Sequence, residues 1–222
     1  MTDPRNESER RRGELSRSKP SRSGISHGER HGRLFHRIAL PYSWFFAGQT
    51  RSYAKCFELG RSSLPEPAGK SALDLGCGTG AFTAALRKEG WNAQGVDIAP
   101  GMLAQAHRKG LSCALGDILQ GLAYDEHSFD LVSAAYVAHG LRRDDRHRLF
   151  TEMRRLSRGI VLIHDYTQDR HPLTSFIEWL EDGDYFNFIK TGEEEMRAVF
   201  PAVTVVRVGP RAAWYLCEAG TW

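Results

Sequence analysis

The chain has 222 residues, 41% hydrophobic and 26% charged, with a formal net charge of +3. That length suits one α/β domain with a tail, and no apolar run approaches the ~18 residues of a membrane span. Residues 1–33 hold nine Arg/Lys against five Asp/Glu and the remainder 21 against 22, so the near-neutral body argues against a nucleic-acid-binding face over the whole domain.

Residues 1–33 form a basic tail expected to be disordered, because they carry too few large apolar side chains to offset the entropy of ordering. Residues 34–64 read as a helical cap, with helices over about 34–39 and 43–60. Pro41 interrupts them, and Gly60 closes the second before the Pro65-Glu66-Pro67 linker. Their aromatic residues, among them Tyr42, Trp44, Tyr53 and Phe57, suit either a core or the cover of a ligand. Residues 65–222 form the main domain.

Within that domain Ser71-Ala72-Leu73-Asp74-Leu75 predicts a strand, Gly76-Cys77-Gly78-Thr79-Gly80 a tight loop, and residues 80–90 a helix. Trp91 to Asp97 is a second strand ending in an acid, and Pro100 opens a helix bearing Met102. Ser112 to Gly116 is a third strand, with Asp117 at its exit. Ser128 to Tyr136 is a buried fourth strand, followed by His139 and a helix over Arg143 to Arg158. Gly159 to Tyr166 is a fifth strand ending in His164, Asp165 and Tyr166. An insertion over about 167–192 follows, with a helix from Pro172 to Leu180 and an aromatic run Tyr185-Phe186-Asn187-Phe188. A helix over Glu193 to Phe200 and a pair of strands, Val203 to Val208 and Trp214 to Glu218, complete the chain. Strands alternating with helices predict an α/β fold with a parallel sheet.

Three glycines at alternate positions let bare backbone amides approach a polar ligand at a helix N-terminus. Gly76, Gly78 and Ala81, with Asp97 about 20 residues on, satisfy a dinucleotide pattern as well, so an NAD(P)-dependent oxidoreductase fits the spacing alone. Asp74, two places before the glycines, stands where dinucleotide enzymes carry an apolar residue. With it, Leu73 to Gly80 resembles the first motif of class I S-adenosylmethionine (SAM)-dependent methyltransferases, and the resemblance extends over roughly residues 70–165. It is similar to the small-molecule members of that class, such as those of quinone biosynthesis.

The resemblance implies a Rossmann-like, doubly wound, seven-stranded and mostly parallel sheet with an antiparallel C-terminal strand. It implies SAM as cofactor, with Asp74 at the methionine end and Gly76, Cys77, Gly78 and Gly80 forming the cradle. Asp97 would take the ribose hydroxyls, although it also suits an N-cap. Ile98 would belong to the cofactor site, Met102 would pack near the adenine unless it is only core filler, and Asp117 and Ile118 would bond the adenine unless Asp117 is only a turn acid. Tyr136, at the exit of strand four, would complete the cofactor site. Tyr42 would belong to a helix closing over the cofactor, and Tyr42, Trp44 and Tyr166 are candidates for binding the acceptor. The insertion after strand five corresponds to part of a substrate lid.

Methyl transfer is an in-line displacement in which a base is needed only when the acceptor must lose a proton. His139 and His164 are the candidate bases, each also readable as a lone structural histidine, and Asp165 or Tyr166 could do the same work or orient the acceptor. The expected activity is methyl transfer (EC 2.1.1.-) to a small molecule, with a non-catalytic SAM-binding protein as the other reading. Cys56, Cys77, Cys113 and Cys217 form no Cys-x-x-Cys pair, so the spacing offers neither a metal nor a redox centre, and with no apolar leader the expected location is cytoplasmic.

Overall fold

The structure, a computed structural model, describes residues 46–168 and 184–220. Helical backbone over 46–60 (α1) leads through a short turn, Arg61–Ser63, into β1 (Ser71–Leu75), α2 (Ala81–Lys88), β2 (Asn92–Asp97), α3 (Pro100–Arg108) and β3 (Cys113–Leu115). Then come β4 (Phe129–Ala135), α4 (Arg143–Leu156), β5 (Ser157–Tyr166), α5 (Tyr185–Arg197), β6 (Val203–Arg207) and β7 (Ala212–Glu218). The strands form one seven-stranded sheet in the order β3-β2-β1-β4-β5-β7-β6. β1 to β5 pair in parallel, and β7 runs antiparallel to both β5 and β6. The expected doubly wound sheet with a C-terminal antiparallel strand is therefore present.

Period-two alternation divides the core between the two faces. Leu73, Leu75, Val132, Ala134, Val161 and Ile163 pack against α4 and α5. Ala72, Leu131, Leu162 and Trp214 pack against α1 and α2, where Phe57 and Phe82 stack. Both crossover helices end alike. Gly90 and Gly110 adopt positive φ, and the next amides, Trp91 and Leu111, bond back to Leu86 and Ala106. This Schellman closure turns the chain sharply into the following strand.

One sequence expectation needs correction. The aromatic run from Tyr185 is itself helical, and the last helix does not begin at Glu193. α5 starts at Tyr185 and runs unbroken through Gly192. Tyr185, Phe188, Ile189, Gly192 and Met196 recur at helical spacing and are all buried. The Pro172 to Leu180 helix, the segment from 34 to 45 and the tail lie outside the described residues.

α4 is held to α5 by a fully buried guanidinium. Arg146 donates to both carboxylate oxygens of Glu195 at 2.6 and 2.8 Å, to Asp184 at 2.8 Å and to the Leu141 carbonyl at 2.6 Å. The last bond fixes the end of the Ala138–Gly140 turn that follows β4.

Candidate active site

Every expected site residue that is described lies at or just beyond the carboxyl end of a parallel strand, or on the helix that follows it, around the point between β1 and β4 where the strand order reverses. Ligands of open α/β sheets bind at that crevice. The β1–α2 loop has its three glycines at φ of 70°, 54° and 81°, a region that other residues rarely enter. A Cβ on Gly76 would strike Val137, and one on Gly80 would strike Leu111, so both are needed for packing beneath the loop. Gly78 differs: nothing lies within 4 Å of where its Cβ would be, so its backbone faces open space.

Asp97 sits beside that space. One of its oxygens accepts from the Gly78 amide at 2.7 Å and the other from the Ala99 amide at 2.8 Å. Burial raises its pKa while those amides pull it down. It thus both ties the loop to β2 and starts the turn into α3. Asp74 alternates onto the α2 face, where its carboxylate accepts from Thr83 at 2.7 Å and Ser133 at 3.1 Å and has no exposed surface. Burial lifts its pKa to about 7 against those two hydroxyls. With no exposed surface it lies beneath the loop, and a direct contact with a ligand would require the loop above it to shift.

Ile98 is half-buried, and Met102 is buried against Ala99 on α3. Asp117 caps the Ile118–Gln120 turn by accepting from the Leu119 amide at 3.0 Å, and Asp117 and Ile118 are both half-buried. Cys77 is buried within the loop. Tyr136 is an exposed large side chain, and it holds a φ of 55° at the exit of β4. Such a conformation costs a bulky residue about 1–3 kcal/mol and is a mark of functional positions. Tyr42 and Trp44 lie outside the described residues.

The two histidines part company. His164 alternates onto the α1 face, where it is fully buried among Tyr53, Phe82 and Tyr136 and its Nδ1 accepts from the Trp214 indole at 2.8 Å. Burial drives its pKa down to about 4. It is thus a neutral, fully buried histidine whose Nδ1 is occupied by Trp214. Its titration has a visible consequence. The unfolded chain takes a proton near the ordinary histidine value, about 6.5, while the native imidazole stays neutral to about 4. Acidification through that window is therefore expected to cost about 3 kcal/mol of stability at this group. His164→Gln should flatten this loss in urea titrations at pH 4 to 6.5, and an undiminished loss would contradict the assignment.

His139 is placed quite differently. Its Nδ1 lies 2.8 Å from Oδ1 of Asp165, and its own amide donates to Oδ2 at 3.2 Å. Asp165 is wholly buried, and its Oδ1 also accepts from the Tyr166 amide at 2.8 Å. The Tyr166 ring lies 4.8 Å from the imidazole and 5.1 Å from Tyr136. Val137, which packs on Gly76, is two residues before His139. A histidine oriented by a carboxylate thus closely follows the residue that packs on the glycine loop, and two tyrosine rings lie beside it.

Comparison with known proteins finds methyltransferases. A family model described as a methyltransferase domain matches residues 72–159. The chain is 28% identical over 162 residues to the demethylmenaquinone methyltransferase of Corynebacterium kroppenstedtii, covering 72% of this chain and 63% of that one. It is 32% identical over 105 residues to the malonyl-[acyl-carrier protein] O-methyltransferase of Herminiimonas arsenicoxydans, covering 46% and 38%. Among solved structures, a SAM-dependent methyltransferase of Thermotoga maritima, described as a possible histamine N-methyltransferase, superposes with a TM-score of 0.65 at 18% identity, covering 83% and 98%. Residues 72–159 thus match a methyltransferase domain, and the chain shares its fold with the Thermotoga maritima methyltransferase. It spans only part of the curated relatives it matches, 38–63% of the two named. Among the described residues no helix is long and apolar enough to cross a membrane, and no cluster of three metal-ligating side chains occurs.

Proposed function

We propose that the chain transfers a methyl group from SAM to a small-molecule acceptor by in-line displacement, with His139 receiving the proton that the acceptor loses. The observation that carries this reading is the pairing of His139, just beyond the residue that packs on the glycine loop, with Asp165. The crevice suits the cofactor, since the open space beside Gly78 and the buried Asp97 next to it would provide a backbone cradle and a carboxylate for ribose hydroxyls. Asp117, Ile118, Ile98 and Met102 would hold the adenine. When bound, SAM supplies an electrophilic methyl on a sulfonium.

The chain's own groups supply the rest. Asp165 accepts from Nδ1–H of His139, which sets the tautomer with the lone pair on Nε2. That nitrogen takes the proton as the acceptor's lone pair attacks the methyl. Tyr136 and Tyr166 orient a planar acceptor and keep water from it. A scaffold protein that merely holds SAM would need no oriented base. The small acceptor is supported by the near-neutral body and by the likeness to a demethylmenaquinone methyltransferase.

Isotope-labelled SAM incubated with the chain and a metabolite extract should yield a labelled small molecule, identified by mass spectrometry. A label found only in protein or RNA would overturn the assignment of the acceptor. Asp97→Ala is expected to lose about 1–3 kcal/mol of SAM affinity by titration calorimetry, the cost of leaving buried polar partners unmet. Unchanged affinity would show that the ribose lies elsewhere.

A further inference from the structure

The cysteine spacing offers no redox centre, but the fold brings two of the four thiols together. Cys113 on β3 pairs in register with Gly95 on β2, and Cys77 lies in the glycine loop above the same residue. A Cβ on Gly95 would meet Cys77 Sγ at 2.6 Å and Cys113 Sγ at 3.0 Å, so the two sulfurs share the space over one bare α-carbon. We propose that Cys77 and Cys113 form a thiol–disulfide couple, closed by exchange with a low-molecular-weight disulfide such as oxidised glutathione, which switches the cofactor loop off.

The two thiols are differentiated as an exchange reaction requires. Cys113 is half-exposed and Cys77 is buried. The Cys77 S–H donates towards Cys113, which holds the Cys113 thiol below its ordinary pKa despite burial. The same hydrogen bond, then burial, pushes Cys77 up. Lys109, whose ammonium donates to the Thr79 carbonyl of the loop at 3.2 Å, also interacts electrostatically with Cys113. An accessible sulfur with thiolate character beside a second thiol is the arrangement of attacking and resolving cysteines.

The steps balance. The Cys113 thiolate attacks one sulfur of oxidised glutathione, the S–S bond breaks, and one glutathione leaves as thiolate. Cys77 gives its proton to that thiolate and attacks the Cys113 sulfur, releasing the second glutathione. Two protein thiols are oxidised and one disulfide is reduced to two thiols.

A disulfide holds its sulfurs about 2.05 Å apart, closer than any contact between thiols. The Cys77 amide is bonded to Val96 and the Gly78 amide to Asp97, so drawing Cys77 towards β3 disturbs the loop where Asp97 meets it. This consequence, unlike the bond itself, rests on the proposed cofactor site.

The full chain is equilibrated in graded mixtures of reduced and oxidised glutathione, and two readouts are taken. Peptide mass spectrometry after thiol blocking should find Cys77 linked to Cys113, and titration calorimetry should find SAM bound at least tenfold more weakly, both reversed by dithiothreitol. Cys113→Ser should keep the affinity of the reduced wild type and lose its sensitivity to oxidised glutathione. Cys77→Ser should stop at a glutathione adduct on Cys113. Free thiols at both positions in excess oxidised glutathione would overturn the couple, and a linked pair with unchanged SAM affinity would overturn the switch. If the reduced protein fails to bind SAM, the proposed function falls while the peptide readout still decides the couple.

Discussion

His139→Ala is expected to lower kcat about 10²- to 10⁴-fold, the usual contribution of a positioned base, with SAM affinity little changed. The prediction follows from where the imidazole is held. Its Nδ1 and its own amide both engage Asp165, and the buried carboxylate is in turn fixed by the Tyr166 amide. Asp165→Asn keeps the shape but no longer enforces the tautomer, and it should lose activity chiefly in kcat rather than in KM. A His139→Ala enzyme within threefold of wild type would mean that the acceptor attacks without losing a proton to this residue. The product mass, by identifying the methylated atom, would then say why.

Arg146→Ala is expected to cost about 3–5 kcal/mol, because it takes from the buried Glu195 its hydrogen-bonded counter-charge and leaves only the exposed Arg143 at 4.0 Å. Glu195 would keep only Thr191 as a side-chain hydrogen-bond partner, and the Leu141 carbonyl would lose its donor. With total stabilities of about 5–15 kcal/mol, that is a large share. The double variant Arg146→Met, Glu195→Leu should recover most of the loss, since an apolar pair of similar volume avoids the desolvation that the ions suffer. Urea denaturation measures both. A loss below about 1 kcal/mol in the single variant would show that the cluster is not what joins α4 to α5.

What the sequence disclosed was whatever depends on local spacing. Ser71 to Gly80 carries its strand, its turn and its acid in one window, and Trp91 to Asp97 does the same, so the β1–α2–β2 unit and Asp97 were legible. The terminal hairpin was legible because two alternating runs flank Gly209-Pro210. The pairing of His139 with Asp165 was not, because it depends on register. β4 and β5 align Ala135 with His164, and alternation then sends His164 to one face and Asp165 to the other. Nothing in the linear order separates those neighbours. The start of α5 was missed because Tyr185 and Phe188 suggested an exposed aromatic insertion, whereas the decisive signal was their phase with Ile189, Gly192 and Met196. Arg146 reads as one more charge on a basic helix, and only the fold shows that it is buried. Cys77 and Cys113 meet because β3 lies beside β2, which spacing within the chain does not encode.

The central claim is that this crevice holds SAM, and parallel calorimetric titrations of the full chain with SAM, S-adenosylhomocysteine and NADH test it most directly. Saturable binding of the two adenosyl compounds with no heat from NADH is the predicted result. Tight NADH binding with no response to SAM would contradict it.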